Sequence, residues 1–290
     1  MTFEYRPAVR DLTSLLIGIA GASGSGKTFS ALRLATGLAG PTGRVALLDT
    51  EADRSLHYAD QFKFDHGGLH PPFRPDTYTA AIAAADKAKY DVIVIDSMSH
   101  VWMSEGGVLD WQEEELQRMA GDDWKKREAC KMAAWIKPKM AHKKMVSRLL
   151  QCRAHLIICL RAEEKTKMSK ITDENGRTKV VPEPQGWQPI CEKNFMYEMT
   201  TSFMVLPDRP GVPIPIKLQE QHRFAFPEGQ PITEQAGAAL AEWAHGGTAP
   251  KKPAKAPAQK VPESTLPAET DDPWTEAKEA ASHGKDIFLA

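Results

Sequence analysis

Eight residues near the amino end, Gly21-Ala22-Ser23-Gly24-Ser25-Gly26-Lys27-Thr28, have the types and spacing of a phosphate cradle. Glycines carry no Cβ, so the backbone can turn its N–H groups inward onto an anion. An apolar stretch leads into the loop and a helical pattern follows it, which places a helix N-terminus and its positive dipole end at the same point. In this pattern Lys27 reaches the β- and γ-phosphates of a nucleoside triphosphate, which makes it a catalytic as well as a binding residue, and the Thr28 hydroxyl ligates the metal. The expected ligands are ATP and Mg²⁺.

Two carboxylates stand where that chemistry needs them. Tyr90-Asp91-Val92-Ile93-Val94-Ile95-Asp96-Ser97 is an apolar strand ending in an acid, and Asp96 is expected to hold the Mg²⁺, through water. Hydrolysis also needs a carboxylate that orients and polarises the attacking water. Many P-loop ATPases place it directly after the metal-binding aspartate, but here Ser97 fills that position. A second strand, Val45–Leu48, runs into Asp49-Thr50-Glu51-Ala52-Asp53. Adjacent parallel strands release their C-terminal ends at one edge of a sheet. Glu51 is therefore expected to activate the water, the alternative being an exposed loop acid.

The elements that must position these groups alternate along the chain. Leu15–Ala20, Val45–Leu48, Val92–Ile95, Leu156–Leu160 and Phe203–Leu206 read as strands, and the wholly apolar ones suit parallel strands covered on both faces. Thr28–Leu38, Thr79–Ala88, Gly107–Met119 and Trp124–Gln151 read as helices, with Pro138 expected to break or kink the last. The fold class is α/β, with a mostly parallel sheet flanked by helices. Ile214–Lys217 and Arg223–Phe226 are expected to form a late hairpin, followed by a helix over Glu234–Trp243. Residues 1–246 form the expected catalytic domain. Residues 247–272, rich in Pro, Ala and Lys and without aromatics, read as a disordered linker, and 273–290 as a short helical tail opened by Asp272-Pro273-Trp274.

Composition narrows the class. The 290 residues are 42% hydrophobic and 26% charged, ordinary for a globular chain, and no apolar run is long enough to span a bilayer. The amino end does not read as a signal peptide, and Cys130, Cys152, Cys159 and Cys191 form no C-x-x-C pair. A reducing cytoplasm is the expected compartment. The net charge of −1 conceals an asymmetry: Lys125–Lys170 holds 14 Lys and Arg against three acids, +11, which leaves −12 for the rest. Such a segment is either a polyanion contact or a solvated helix face with a charged loop.

With these motifs in order, the chain resembles the RecA family of ATPases over roughly residues 14–206. That family pairs the same phosphate loop with a strand ending in Asp-x-Glu, here Asp49-Thr50-Glu51, and then one ending in Asp-Ser, here Asp96-Ser97. Pro75-Asp76-Thr77 is similar to a further family segment. More narrowly, the chain is similar to short phage-encoded RecA-like ATPases linked to single-strand annealing and recombination. The resemblance implies a RecA-like P-loop core, with Glu51 as catalytic base, ATP-dependent action on single-stranded DNA, and a homo-oligomer. It also implies a cation acting between subunits, for which Lys217 and Arg223 are available.

The chain departs from the family after the Leu156–Leu160 strand. Arg161-Ala162-Glu163-Glu164 stands where RecA has a γ-phosphate-sensing glutamine, so Arg161 is left as the phosphate contact. Lys165–Pro189 replaces the DNA-contacting loop and reads as long and structureless. Its Lys165, Lys167, Lys170, Arg177 and Lys179, with Trp187 as a stacking surface, are the expected DNA contacts, against the alternatives of a plain surface loop or a protein-partner site. Lys137, Lys139, Lys143 and Lys144 either extend that track or are solvated, and Trp102, Trp111, Trp124 and Trp135 are expected as core anchors. The alternatives to a DNA-acting ATPase are a P-loop small-molecule kinase and a nucleotide-switched interaction protein.

Overall fold

The computed structural model describes residues 5, 7, 8, 10, 13–172 and 178–246; Arg177, the expected linker and the expected tail lie outside these residues. In chain order the elements are β1 (Leu16–Gly21), α1 (Lys27–Ala39), β2 (Val45–Asp49), β3 (Asp65–Gly68), α2 (Pro75–Lys87), β4 (Val92–Asp96) and α3 (Ser99–Met103). Then come α4 (Val108–Ala120), α5 (Trp124–Ala134), α6 (Ile136–Leu150), β5 (His155–Thr172), β6 (Thr178–Pro189), β7 (Thr201–Leu206), β8 (Arg209–Lys217) and α7 (Glu234–Ala244). The sheet runs β3-β2-β4-β5-β1-β7-β8, with β6 paired to β5 off this path. All neighbours from β3 to β7 are parallel, and only β7–β8 and β5–β6 are antiparallel.

Each central strand splits its side chains between two cores, as the two-residue period of a strand requires. Ile17, Ile19, Val92, Val94, Ile157 and Phe203 face α1 and α7, where Leu34, Leu38 and Leu240 cover them. Leu16, Ile93, Ile95, Leu156 and Ile158 face the other way, against Tyr78 and Ile82 of α2 and Met145 and Leu149 of α6. The α1–α7 contact is unusually close. A Cβ on Gly37 would stand 1.9 Å from the Glu234 carbonyl oxygen, and one on Gly237 would stand 2.3 Å from that of Leu34. Arg33 locks the same pair of helices by donating to both Glu234 carboxylate oxygens, at 2.7–3.0 Å.

Several expectations are corrected. The segment Lys165–Pro189 is a two-stranded ribbon: β5 continues to Thr172 and pairs with β6, with a bulge at Lys165/Thr166. Thr166, Val180 and Val181 favour extended backbone, and both strands of an isolated ribbon are edges, so Pro182 and Pro184 disturb few ladder bonds. The late hairpin is β7–β8, closing from Leu206 to Arg209, while Arg223–Phe226 falls largely in a short 3₁₀ helix over Glu220–Ala225. The break in the basic helical stretch comes at Trp135, and Pro138 sits inside the first turn of α6, where a missing N–H costs nothing. Pro75-Asp76-Thr77 opens α2 rather than preceding it, with the proline in the first turn and the acid at the positive dipole end.

The four tryptophans of the insert are not buried anchors. Trp102 stacks on Trp135 at 6.3 Å between centroids, Trp111 lies under the Arg74 guanidinium, and Trp124 is 72% exposed. β3 has no signature in the sequence, since Asp65-His66-Gly67-Gly68 lacks strand composition and becomes a strand by pairing with β2. No helix among the described residues is long and apolar enough to cross a membrane. All four cysteines are free thiols.

Candidate nucleotide site

The carboxyl ends of β1, β2, β4 and β5 open on one cavity of about 830 Å³, within the usual size of a small-ligand site. Gly21, Lys27 and Thr28 form one wall, and Glu51, Asp96 and Arg161 another. The loop between β1 and α1 is built as the sequence requires. Gly24 and Gly26 have φ of 76° and 81°, the left-handed region that glycine enters freely. At Gly21 a Cβ would meet the Val205 carbonyl oxygen at 2.4 Å and the Ser25 hydroxyl at 2.5 Å. Lys27 Nζ donates back to the Ala22 carbonyl at 2.7 Å, and Ser25 Oγ to the same oxygen at 2.8 Å. The ammonium thus lies over the hollow of its own loop, where an anion would be held.

Thr28 Oγ1 donates to Asp96 Oδ2 at 2.5 Å, although β5 separates the strand of Asp96 from β1. These two oxygens are a donor set that would suit Mg²⁺ beside a bound phosphate. Among the described residues no cluster of three acidic, His or Cys side chains could hold a metal alone, so the remaining ligands would come from the nucleotide and water. Asp96 is buried, and that burial pushes its carboxyl up to about 6. A nearby divalent cation would offset this cost. The loop's open hollow and the Thr28–Asp96 pair therefore fit a magnesium nucleotide.

β2 and β4 are neighbours in register, Asp49 opposite Asp96, which brings Glu51 into the same cavity. Asp49 does not face the phosphate loop. It accepts from the Glu51 amide at 2.7 Å and from the Ser55 amide and hydroxyl at 2.9 and 2.5 Å, shaping the turn that presents Glu51. Burial would raise the Asp49 carboxyl, but the Ser55 and Glu51 donors hold it below the ordinary range. Glu51 is gripped by Arg161, whose Nε donates to Oε1 at 2.8 Å and NH2 to Oε2 at 2.5 Å. Burial alone would raise the Glu51 carboxyl; the guanidinium more than offsets it and keeps the group ionised.

Sequence reasoning missed His100, Arg54, His57 and Tyr58. Arg54, His57 and Tyr58 lie on the short 3₁₀ helix after β2 and line the cavity, and Tyr58 packs against Phe29 at 5.9 Å. They offer a cationic and aromatic wall beyond the phosphate loop. His100 Nε2 lies 3.7 Å from Glu51 Oε1. No motif marks these residues. They are found only once the turn after β2 and the start of α3 are placed.

The four expected DNA contacts among the described residues lie on the ribbon. Lys165, Lys167, Lys170 and Lys179 are exposed, but acids are interleaved: Lys165 pairs with Glu163 at 3.4 Å, and Lys167 stands opposite Glu183. Trp187 is half-buried and packs on the core face shared with α2 and α6, so it is not a free stacking platform. The ribbon's root belongs to the nucleotide cavity, which Arg161, Ala162 and Ile190 line. Lys217 donates to the Tyr197 and Met199 carbonyls, and Arg223 pairs with Glu220, so both are engaged within the chain. On the basic helices Lys137 pairs with Glu115 and Lys139 covers Trp135, while Lys143 and Lys144 are exposed.

A family described as AAA domain matches residues 13–203, about two thirds of the chain and the whole span from β1 into β7. The chain belongs to the AAA-domain family. With the sheet order and the phosphate loop, this makes it a nucleotide-binding P-loop ATPase of RecA-like type. No curated protein matches the chain. Among solved structures it is similar to a KaiC-like protein from the hyperthermophilic archaeon Pyrococcus horikoshii OT3, at 14% identity, covering 60% of this chain and 79% of that one with a TM-score of 0.31.

Proposed function

We propose that this AAA-domain protein hydrolyses ATP with Mg²⁺ and couples the reaction to single-stranded DNA, as a homo-oligomer, in recombination, annealing or repair of the phage type. The observation that carries the hydrolytic reading is the convergence of Lys27, Thr28, Asp96 and Glu51 on one cavity. The loop amides and Lys27 bind and orient the phosphates. Thr28 and, through water, Asp96 would hold the metal, which would supply positive charge beside the phosphoryl oxygens. Glu51 takes up the proton of the attacking water. The DNA reading is supported by the family resemblance and by a lysine-bearing ribbon whose first residues line the same cavity.

The test is ATP hydrolysis with and without single-stranded DNA, at low and moderate salt, with Lys27→Ala as the blank. Stimulation by DNA that weakens with salt is expected. Turnover indifferent to DNA would remove the DNA reading and leave the nucleotide site standing.

A further inference from the structure

Glu51 has a second neighbour besides Arg161. His100 is 5% exposed, and its ring lies against Phe73, with centroids 5.0 Å apart. Its Nδ1 is 2.7 Å from Thr50 Oγ1. That hydroxyl accepts from the Ser97 amide at 2.7 Å, so its own proton has two places to go: the Ser97 carbonyl at 3.0 Å or His100 Nδ1. The Ser97 carbonyl already accepts from the Tyr78 hydroxyl at 3.1 Å. When the Thr50 proton takes the shorter contact, His100 Nδ1 accepts it and the imidazole carries its N–H on Nε2, facing Glu51. Burial, reinforced by the Arg161 charge, lowers the basicity of His100 and keeps the ring neutral.

The 3.7 Å between Nε2 and Glu51 Oε1 is just longer than a hydrogen bond. Glu51 is therefore bonded to Arg161 and stands one short movement from His100. The two partners suit different tasks. A bidentate guanidinium occupies both carboxylate oxygens and weakens the base. One N–H from a neutral imidazole fixes the carboxylate while leaving a second oxygen for water.

We propose that His100 is a positioning residue for Glu51: when Arg161 turns away, the carboxylate closes onto the His100 Nε2–H and is aimed into the cavity. This rests on the reading of Glu51 as the group that activates water. Arg161 belongs to the strand that becomes the ribbon, so an event at the ribbon has a direct mechanical route to the release of Glu51.

Two measurements test it. In ¹⁵N-histidine NMR of the nucleotide-free protein, the His100 signal, assigned by its loss in His100→Phe, should report the Nε2–H tautomer. In Arg161→Met its Nε2 proton should move downfield as the bond to Glu51 closes, and this movement should vanish when Glu51→Ala is added. In ATPase assays His100→Phe should lower kcat by roughly 10- to 100-fold with KM within about 2-fold, and His100→Gln, which retains an N–H donor, should recover to within about 5-fold of wild type. An Nδ1–H tautomer, or a His100→Phe enzyme with wild-type kcat beside an inactive Glu51→Gln, overturns the proposal alone. A fully active Glu51→Gln overturns the reading of Glu51 and the proposal with it. If His100→Phe does not fold, His100→Gln assigns the signal by the same loss, and the wild-type tautomer with the kcat of His100→Gln decides.

Discussion

Replacing Asp96 with Asn should make the nucleotide-free protein more stable at pH 8 and bring no gain near pH 4. The Asp96 carboxyl sits in the floor of the cavity, 4% exposed, and burial raises its pKa from 3.8 to about 6. For an acid the sign runs against stability: between these values the folded chain holds a proton that the unfolded chain has lost. Stability therefore falls as pH climbs through that window, and the full penalty persists above it. At ~1.4 kcal/mol per pH unit the penalty is about 3 kcal/mol. Asn keeps an oxygen to accept from Thr28 Oγ1, which donates to Asp96 at 2.5 Å, but adds an NH₂ that needs a partner. The net gain expected at pH 8 is about 1–3 kcal/mol, on the order of several degrees in Tm for a domain of this size. Urea unfolding of both proteins in EDTA at pH 4, 6 and 8 measures it, and the difference between them cancels the titrating groups that Asp96 does not influence. A variant no more stable than wild type at pH 8, or a gain independent of pH, would refute the argument that burial of this charge is uncompensated without metal.

Other outcomes follow from the same geometry. Glu51→Gln should keep ATP affinity while slowing hydrolysis by ~10²-fold or more, read as kcat under saturating nucleotide; normal turnover would exclude Glu51 as the base. Gly37→Ala would ordinarily gain about 1 kcal/mol of helix propensity. Here the added methyl would stand 1.9 Å from a backbone oxygen of α7, so a loss above ~2 kcal/mol is expected by thermal unfolding, and a stabilised variant would contradict the close packing. Replacing Lys165, Lys167 and Lys170 together by Ala should flatten the salt dependence of single-stranded DNA binding by about 2 in log–log slope, at ~0.7 for each phosphate no longer neutralised. An unchanged slope would move the DNA path off the ribbon.

The parts of the fold that were legible in the sequence are those fixed by local chemistry. The phosphate loop shows because its glycines and lysine are required at set positions, and β1 and β4 show because strands buried on both faces are apolar throughout. Glu51 was reachable because β2 and β4 are adjacent and parallel, which the strand order then bore out. What escaped depends on pairing rather than composition. β3 is two glycines and two polar residues, made a strand by β2. The ribbon reads as a loop because its lysines and prolines mask a ladder in which each strand satisfies the other. The tryptophans from α3 to the start of α6 read as core because of their size, yet they meet one guanidinium, one another and solvent. His100 gave no signal, since its significance lies in a contact with Glu51 reached only through the turn after β2 and the start of α3.

Everything proposed for this site depends on the loop from Gly21 to Thr28 binding a magnesium nucleotide through Lys27. Calorimetric titration of Mg·ATP into the wild type and into Lys27→Ala tests it most directly. The substitution removes one hydrogen bond, to the Ala22 carbonyl, so the fold should survive with unchanged circular dichroism. Saturable binding to the wild type is expected, with at least ~100-fold weaker binding to the variant, about 2.7 kcal/mol. Equal affinity in the two proteins, or no binding to a folded wild type, would contradict it.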